Sequence, residues 1–262
     1  MLDVASGPGY VAAVAAERGA AVTGVDIAET MISLARRLHP GIEFRRGDVE
    51  ALPFPDRSFD AVVGNFIMLH LGRPERATAE FVRVLDAGGR VALTVWDVPE
   101  RARLQGVLVD AVSAAGASTP EDIPVGPPIF RFADDDEFAR LLRGRGLEDV
   151  RVRTISFSHS EPSPDALWRG LLGGTVRVSA IILRQTGDVQ REIRAAFDRI
   201  VQDYRVGDRL EVPVSVKLAS GRKPVAADDE LEPLPPAAAV LASAHRAADK
   251  EPAPDEQCRL PG

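Results

Sequence analysis

The stretch MLDVASGPGY, residues 1–10, combines a short apolar strand, a glycine turn and the start of a helix. Gly7 and Gly9 can adopt backbone conformations closed to other residues, and they let a ligand approach without a Cβ in the way. The following helix presents unpaired N–H groups and the positive end of its dipole to the turn. The turn is therefore predicted to bind an anionic or polar group.

Two nucleotide-binding interpretations compete for this turn. Residues 7–12, GPGYVA, fit the G-x-G-x-x-G/A dinucleotide fingerprint, which alone is a weak signal. Asp3, however, lies inside the first strand, where the dinucleotide pattern normally carries an apolar residue. A carboxylate at that position needs a hydrogen-bonding partner, because the burial of an unpaired charge is costly.

Composition limits the classes of protein that fit. The 262 residues are 45% hydrophobic and 27% charged, as expected of one main α/β domain with insertions. A net charge of −7 argues against broad binding of nucleic acid or of an anionic membrane. The single Cys258 excludes an intramolecular disulfide. With neither a membrane-length apolar run nor a signal-peptide pattern, a cytoplasmic location is expected. The sequence leaves the oligomeric state open.

A second acidic residue follows the next predicted strand, residues 21–25, and that strand ends at Asp26. Asp26 follows Gly9 at close to the spacing of roughly 20 residues that separates a glycine loop from the acidic residue that binds a ribose diol. The alternative is that Asp26 caps the helix whose apolar stripe begins at Met31. Both roles are compatible.

Two stretches together resemble a known family. LDVASGPGY resembles motif I of the class I S-adenosylmethionine-dependent methyltransferases, and GDVEALPFPDRSFDAVV, residues 47–63, is similar to the region through motif II of their type-11, or UbiE-like, branch. The resemblance implies an α/β fold: a Rossmann-like, doubly wound, mostly parallel seven-stranded sheet with helical insertions after strands five and six. Ala5 stands where the family more often has glycine, which we treat as a mild change.

The resemblance also implies S-adenosylmethionine as cofactor. The glycine loop would cradle the methionine part of the cofactor, and Asp3 would interact with its amino group, directly or through water. Asp48 would accept a hydrogen bond from the adenine amino group, although it could instead be a turn carboxylate after Gly47. Val49 would donate its backbone N–H to the base. The implied cofactor-binding residues are Asp3, Ala5, Gly7, Gly9, Asp26, Ile27, Met31, Asp48, Val49 and Asn65.

The expected reaction is methyl transfer to a small-molecule acceptor by direct in-line displacement. The unperturbed pKa of a histidine would suit His70 to the role of a general base, although a lone histidine more often packs or hydrogen-bonds. Asp97, at the end of the fifth predicted strand, is the second candidate for proton removal. The acidic run 134–137 is taken as the start of a helix, and no metal site is expected. The candidate substrate-binding residues are Phe66, Trp96, Phe130 and Trp168, with core packing as the alternative for both tryptophans.

The chain divides into four predicted segments: a cofactor-binding core at 1–97, an insertion and helix at 98–148, a C-terminal part of the sheet with a helical substrate lid at 149–223, and a disordered tail at 224–262. Pro213 falls in the middle of the last predicted strand, which the family topology places inside the sheet, so a bulge is expected there. Because the family usually has helices before motif I, we suspect a truncated domain or a late start site.

Two other functions compete with methyl transfer. The fingerprint at residues 7–12 is compatible with an NAD(P)-dependent oxidoreductase, but Asp3, the Asp48 stretch and the lack of an evident hydride-transfer constellation count against it. The third interpretation is a non-catalytic cofactor-binding protein that has lost the N-terminal helices that usually cover the cofactor in this family.

Overall fold

The computed structural model describes residues 1–123 and 127–225. Within those residues the strands form one sheet in the order β3-β2-β1-β4-β5-β8-β6, and β7 pairs only with β8. The strands are β1 (Leu2–Val4), β2 (Thr23–Asp26), β3 (Glu43–Arg46), β4 (Phe59–Asn65), β5 (Leu85–Trp96), β6 (Glu148–Glu161), β7 (Arg205–Val206) and β8 (Arg209–Arg222).

Helices connect these strands. They are α1 (Tyr10–Glu17), α2 (Glu29–Leu38), α3 (Pro74–Val84), α4 (Arg103–Ala114), α5 (Asp135–Arg143), α6 (Pro164–Gly174), α7 (Arg177–Leu183) and α8 (Gly187–Ile200). Short 3₁₀ turns cover Met68–His70, Arg131–Ala133 and Val201–Tyr204. The acidic run does begin a helix, since the Asp134 carboxylate caps α5 by accepting the Glu137 N–H at 2.7 Å.

The predicted fold class is confirmed. Strands β1 to β5 pair in parallel, and β8 pairs antiparallel with both β5 and β6. Helices α4 and α5 follow β5, and α6 to α8 follow β6, as expected of the two insertions. The two-residue strand β7 was not predicted, because it forms only through the tight turn in which Gly207 has a φ of 61°.

Pro213 lies in a regular part of β8 and not in the expected bulge. Its partner on β6 is Ser158, within a register that runs without a shift from Arg151 to Glu161. Pairing between β8 and β5 ends at Val216. Proline is tolerated here because it stands beyond the two-sided part of the strand, where a missing N–H removes no bond to β5.

The division into four segments stays a prediction. Strand β8, from the third predicted segment, lies between β5 of the first segment and β6. One sheet therefore joins strands of the predicted cofactor-binding core to strands of the third predicted segment. Apart from Pro224 and Val225, the predicted tail lies outside the described residues.

The strand order places a topological switch point between β1 and β4. From β1 the chain order runs outward through β2 and β3 on one side and through β4 and β5 on the other. Ligands of doubly wound sheets bind in the crevice at the carboxyl ends of the strands at such a point. The loops after β1, β2 and β4 meet there.

The loop after β1 contains three residues with left-handed backbone: Ala5 (φ 53°), Gly7 (φ 52°) and Gly9 (φ 86°). At Gly9 a Cβ would lie 2.6 Å from the Phe44 ring, whereas at Gly7 it would meet nothing within 4 Å. Gly9 is therefore required by packing, and Gly7 by backbone conformation alone. The alanine at position 5 is a larger change from the family's glycine than expected, because the left-handed conformation costs an L-residue roughly 1–2 kcal/mol.

Replacing these two glycines with alanine should have different costs. Gly7→Ala should lower the free energy of unfolding by roughly 1 kcal/mol through backbone strain. Gly9→Ala should cost more than twice as much, because strain and the overlap with Phe44 add. Urea denaturation of both variants measures the difference, and equal losses would contradict the packing role of Gly9.

Candidate functional site

Asp3 is a buried carboxylate at the floor of the crevice. It is 1% exposed, and its Oδ2 accepts the Ala12 N–H of α1 at 3.0 Å. Burial raises the pKa of Asp3 to about 7; the Ala12 hydrogen bond opposes this shift and the nearby charge of Asp26 adds to it. Asp3 is thus close to half-protonated at neutral pH and is ready to ionise beside a cation.

Asp26, at the end of β2, holds the crevice together. Its Oδ2 accepts the Gly7 N–H at 2.9 Å, and its Oδ1 accepts the Ala28 N–H at 2.8 Å. Ala28, and not Asp26, is the N-cap residue of α2. Each carboxylate oxygen carries two acceptor sites, so both retain capacity for a ligand hydroxyl.

A cavity of about 780 Å³, here called the first cavity, occupies the crevice. Nine of the ten predicted cofactor-binding residues line it, and Gly9 instead packs against Phe44. The nine are Asp3, Ala5, Gly7, Asp26, Ile27, Met31, Asp48, Val49 and Asn65. Further lining residues that were not predicted are Ser6, Pro8, Tyr10, Val11, Glu50, Ile67, Leu71, Gly72, Gly174 and Val176.

A second cavity of about 380 Å³ adjoins the first. Phe66, His70, Gly174 and Val176 line both. The rings of Phe66 and Trp96 stack with centroids 4.2 Å apart and give the second cavity an aromatic wall. Phe66 has a φ of 56°, held by its N–H, which donates to the side chain and the carbonyl of Thr94.

His70 stands at the junction of the two cavities, on the 3₁₀ turn after β4. Desolvation by the surrounding walls lowers the pKa of His70. The imidazole is therefore neutral at pH 7 and has a nitrogen free to accept a proton.

Asp97, the second predicted candidate for proton removal, lies outside both cavities. It is fully buried, and Arg101 donates to both carboxylate oxygens at 2.7 Å, while Ser215 donates to one at 2.8 Å. Burial raises the pKa of Asp97, but the hydrogen bonds from Arg101, Ser215 and the Val98 N–H outweigh it and bring the value to about 2. Asp97 lines neither cavity, so its carboxylate stabilises the end of β5.

The two remaining aromatic candidates also lie away from the first cavity. Trp168 packs edge-to-face on Phe197 in the core between α4, α6 and α8, with ring centroids 4.9 Å apart, as its packing alternative predicted. Phe130 lines a third cavity of about 280 Å³. The second and third cavities share Ile129, Arg177 and Val178.

Neither a metal-binding cluster nor a single membrane-spanning helix is found in the part of the chain that the structure describes. In residues 1–123 and 127–225, no three His, Cys, Asp or Glu side chains are grouped so that they could hold a metal ion. Over the same ranges no single helix is long and apolar enough to cross a membrane. The pair α6 and α7 passes that test by length and composition, but it bends by 110°.

Comparison with known proteins identifies the class. A family model described as a methyltransferase domain, type 11, matches residues 2–93. A demethylmenaquinone methyltransferase of Renibacterium salmoninarum is 30% identical over 164 residues, covering 60% of this chain and 69% of that protein. The ubiquinone/menaquinone biosynthesis C-methyltransferase UbiE of Methylobacterium nodulans is 34% identical over 172 residues, covering 60% and 68%.

Solved structures agree on the fold. The YcgJ protein of Bacillus subtilis superposes with a TM-score of 0.52 at 20% identity, over 85% of this chain and 91% of that one. The chain belongs to the UbiE-like, type-11 family of class I S-adenosylmethionine-dependent methyltransferases. It is an S-adenosylmethionine-dependent enzyme that methylates a small molecule.

The ion cluster around Asp97 gives a test of stability. Lys217, 7% exposed on its side chain, lies 3.8 Å from Asp97 and 2.8 Å from Asp135. Asp97→Asn should lower the free energy of unfolding by roughly 3 kcal/mol at pH 7, because it removes the buried negative charge that pairs with Arg101 and with the buried Lys217.

The difference in stability between the wild type and Asp97→Asn should depend on pH. The folded pKa of Asp97 lies below its ordinary value of 3.8, so its stabilisation is complete above pH 4 and is lost as the pH falls towards 2. The wild type and Asp97→Asn should therefore converge in stability below pH 4. Denaturant titrations between pH 2 and 7 measure this, and a gap that stays constant would contradict the ion-pair role.

Proposed function

We propose that the first cavity binds S-adenosylmethionine and that the second cavity binds the methyl acceptor, with transfer at their junction. The observation that carries this assignment is that the two cavities share Phe66, His70, Gly174 and Val176. A methyl donor in one and an acceptor in the other would approach each other beside His70. Proximity of this kind accounts for about 7–11 kcal/mol of barrier lowering in favourable systems.

The residues of the first cavity fit the cofactor chemically. Asp3 has one carboxylate oxygen beyond its bond to Ala12, and that oxygen suits an ammonium group. Asp48 accepts the Glu50 N–H through Oδ1, and no hydrogen bond within the described residues engages its Oδ2, which suits the adenine amino group. Ile27 and Met31, both exposed, offer apolar surface for the base.

S-adenosylmethionine supplies a methyl group on a positively charged sulfur, which leaves with the electron pair of the broken bond. The chain then has to align the acceptor, exclude water and receive a proton if the acceptor loses one. The stacked Phe66 and Trp96 rings align a flat acceptor, and the neutral His70 receives the proton. The relatives above are named for demethylmenaquinone and for C-methylation. For this chain we infer an unsaturated ring compound, methylated at carbon.

Asp3 should make cofactor binding depend on pH. Below pH 7 its carboxyl is protonated and must lose that proton to pair with the cofactor's ammonium group. The affinity for S-adenosylhomocysteine should therefore rise with pH, by about tenfold per unit below pH 7, and level off above it. Titration calorimetry from pH 5.5 to 8 measures this dependence.

Two controls isolate the Asp3 carboxyl. Adenosine lacks the ammonium group, so its affinity should not follow the same dependence, and Asp3→Asn should remove the dependence for S-adenosylhomocysteine. The assignment of Asp3 fails if the slope persists in Asp3→Asn, or if adenosine reproduces it. NAD(P) in the same titrations tests the dinucleotide alternative directly.

His70→Asn should slow methylation without weakening cofactor binding. Loss of a general base costs about 10²–10⁴-fold in rate, while the cofactor contacts of the first cavity remain. Transfer of a radiolabelled methyl group to a panel of hydroxylated ring compounds measures the rate, and calorimetry with S-adenosylhomocysteine measures binding. An unchanged rate, with an acceptor that the wild type methylates, would exclude His70 as the base.

A further inference from the structure

Arg177 is the charged residue that lines both the second and the third cavity. The other lining residues of the second cavity are apolar or neutral: they include Phe66, Trp96, Gln105 and the neutral His70. In the third cavity the remaining described residues are apolar. Among the described residues, the lining of the second and third cavities therefore carries a positive charge and no carboxylate, in contrast to the first cavity, which is lined by Asp3, Asp26 and Asp48.

Within the described residues, the Arg177 guanidinium has one weak hydrogen-bond partner. Nη1 donates to the Pro127 carbonyl at the long distance of 3.4 Å, and the buried Nε has no partner in the part of the chain that the structure describes. None of the ion pairs found in residues 1–123 and 127–225 includes Arg177. Other half-buried arginines of the described residues do have carboxylate partners: Arg83 pairs with Glu80 and Arg103 with Asp110.

An unpaired, half-buried guanidinium is costly unless a ligand pairs with it. Its planar fork fits a carboxylate by two parallel hydrogen bonds, and such charge-assisted bonds are about twice as strong as neutral ones. The stacked Phe66 and Trp96 rings of the same cavity suit an aromatic ring. We propose that the methyl acceptor is an aromatic carboxylic acid whose carboxylate binds Arg177; this rests on the acceptor role proposed above for the second cavity.

A matched pair of ligands tests the proposal. 1-Naphthoate and 1-naphthamide share a ring system and differ in charge, and both are titrated calorimetrically into the full chain with and without saturating S-adenosylhomocysteine. The wild type should bind 1-naphthoate at least tenfold more tightly than 1-naphthamide. Arg177→Gln should abolish that preference, and Arg177→Lys should retain part of it.

Arg184→Gln is the control, because Arg184 directly follows α7, is exposed and pairs with Asp122. It should leave the preference for 1-naphthoate unchanged. Equal affinities of the two ligands for the wild type, or a preference that survives in Arg177→Gln, would overturn the proposal.

The cofactor's own carboxylate is the competing partner for Arg177. If Arg177 binds the acceptor and not the cofactor, Arg177→Gln should leave the affinity for S-adenosylhomocysteine unchanged. A loss of affinity for S-adenosylhomocysteine, but not for 5′-methylthioadenosine, which lacks the carboxylate, would assign Arg177 to the cofactor and refute the acceptor role. Failure of the wild type to bind S-adenosylhomocysteine at all would instead contradict the assignment of the first cavity, and the titrations without that ligand still test Arg177.

Discussion

The carboxylate of Asp26 is the interaction on which the first cavity depends. It accepts one N–H from the loop after β1 and another just before α2, and so it fixes two loops that belong to different strands. A loop with left-handed residues at Ala5, Gly7 and Gly9 would otherwise have several conformations of similar energy. Burial raises the pKa of Asp3, and the charge of Asp26 adds to that rise. One side chain thus fixes both loops of this crevice and contributes to the ionisation of its neighbour.

Much of the lining of the first cavity could be predicted because its residues follow strand ends in sequence order. Asp3, Asp26, Asp48 and Asn65 each lie within or directly after an apolar strand or a turn signal. In a doubly wound sheet such positions converge at one edge whatever the details of packing. The spacing along the chain therefore carried most of the geometry.

The lining of the second cavity was less predictable, because its walls come from distant segments of the chain. Gly174, Val176 and Arg177 reach the cavities through the sharp bend between α6 and α7. The Gly173-Gly174 pair marks that bend in the sequence, but it does not show which residues of the bend face the cavities. For Asp97 the sequence predicted the correct edge of the sheet but not the partners of the side chain. Its carboxylate is buried in an ion cluster formed with Arg101 and residues of β8. Strand position identifies the edge, but the partners that neutralise a side chain are set by tertiary contacts.

The insertion of β8 between β5 and β6 has a consequence for how the molecule is made. In the strand register, Arg222 at the end of β8 lies opposite Arg90 of β5 on one side and Glu148 of β6 on the other. Segments far apart in sequence must therefore come together before β6 gains its only strand neighbour among the described residues. Such non-local pairing closes slowly. On the ribosome, β1 to β5 can assemble early. The edges of β5 and β6 that pair with β8 then stay unpaired until β8 has been synthesised.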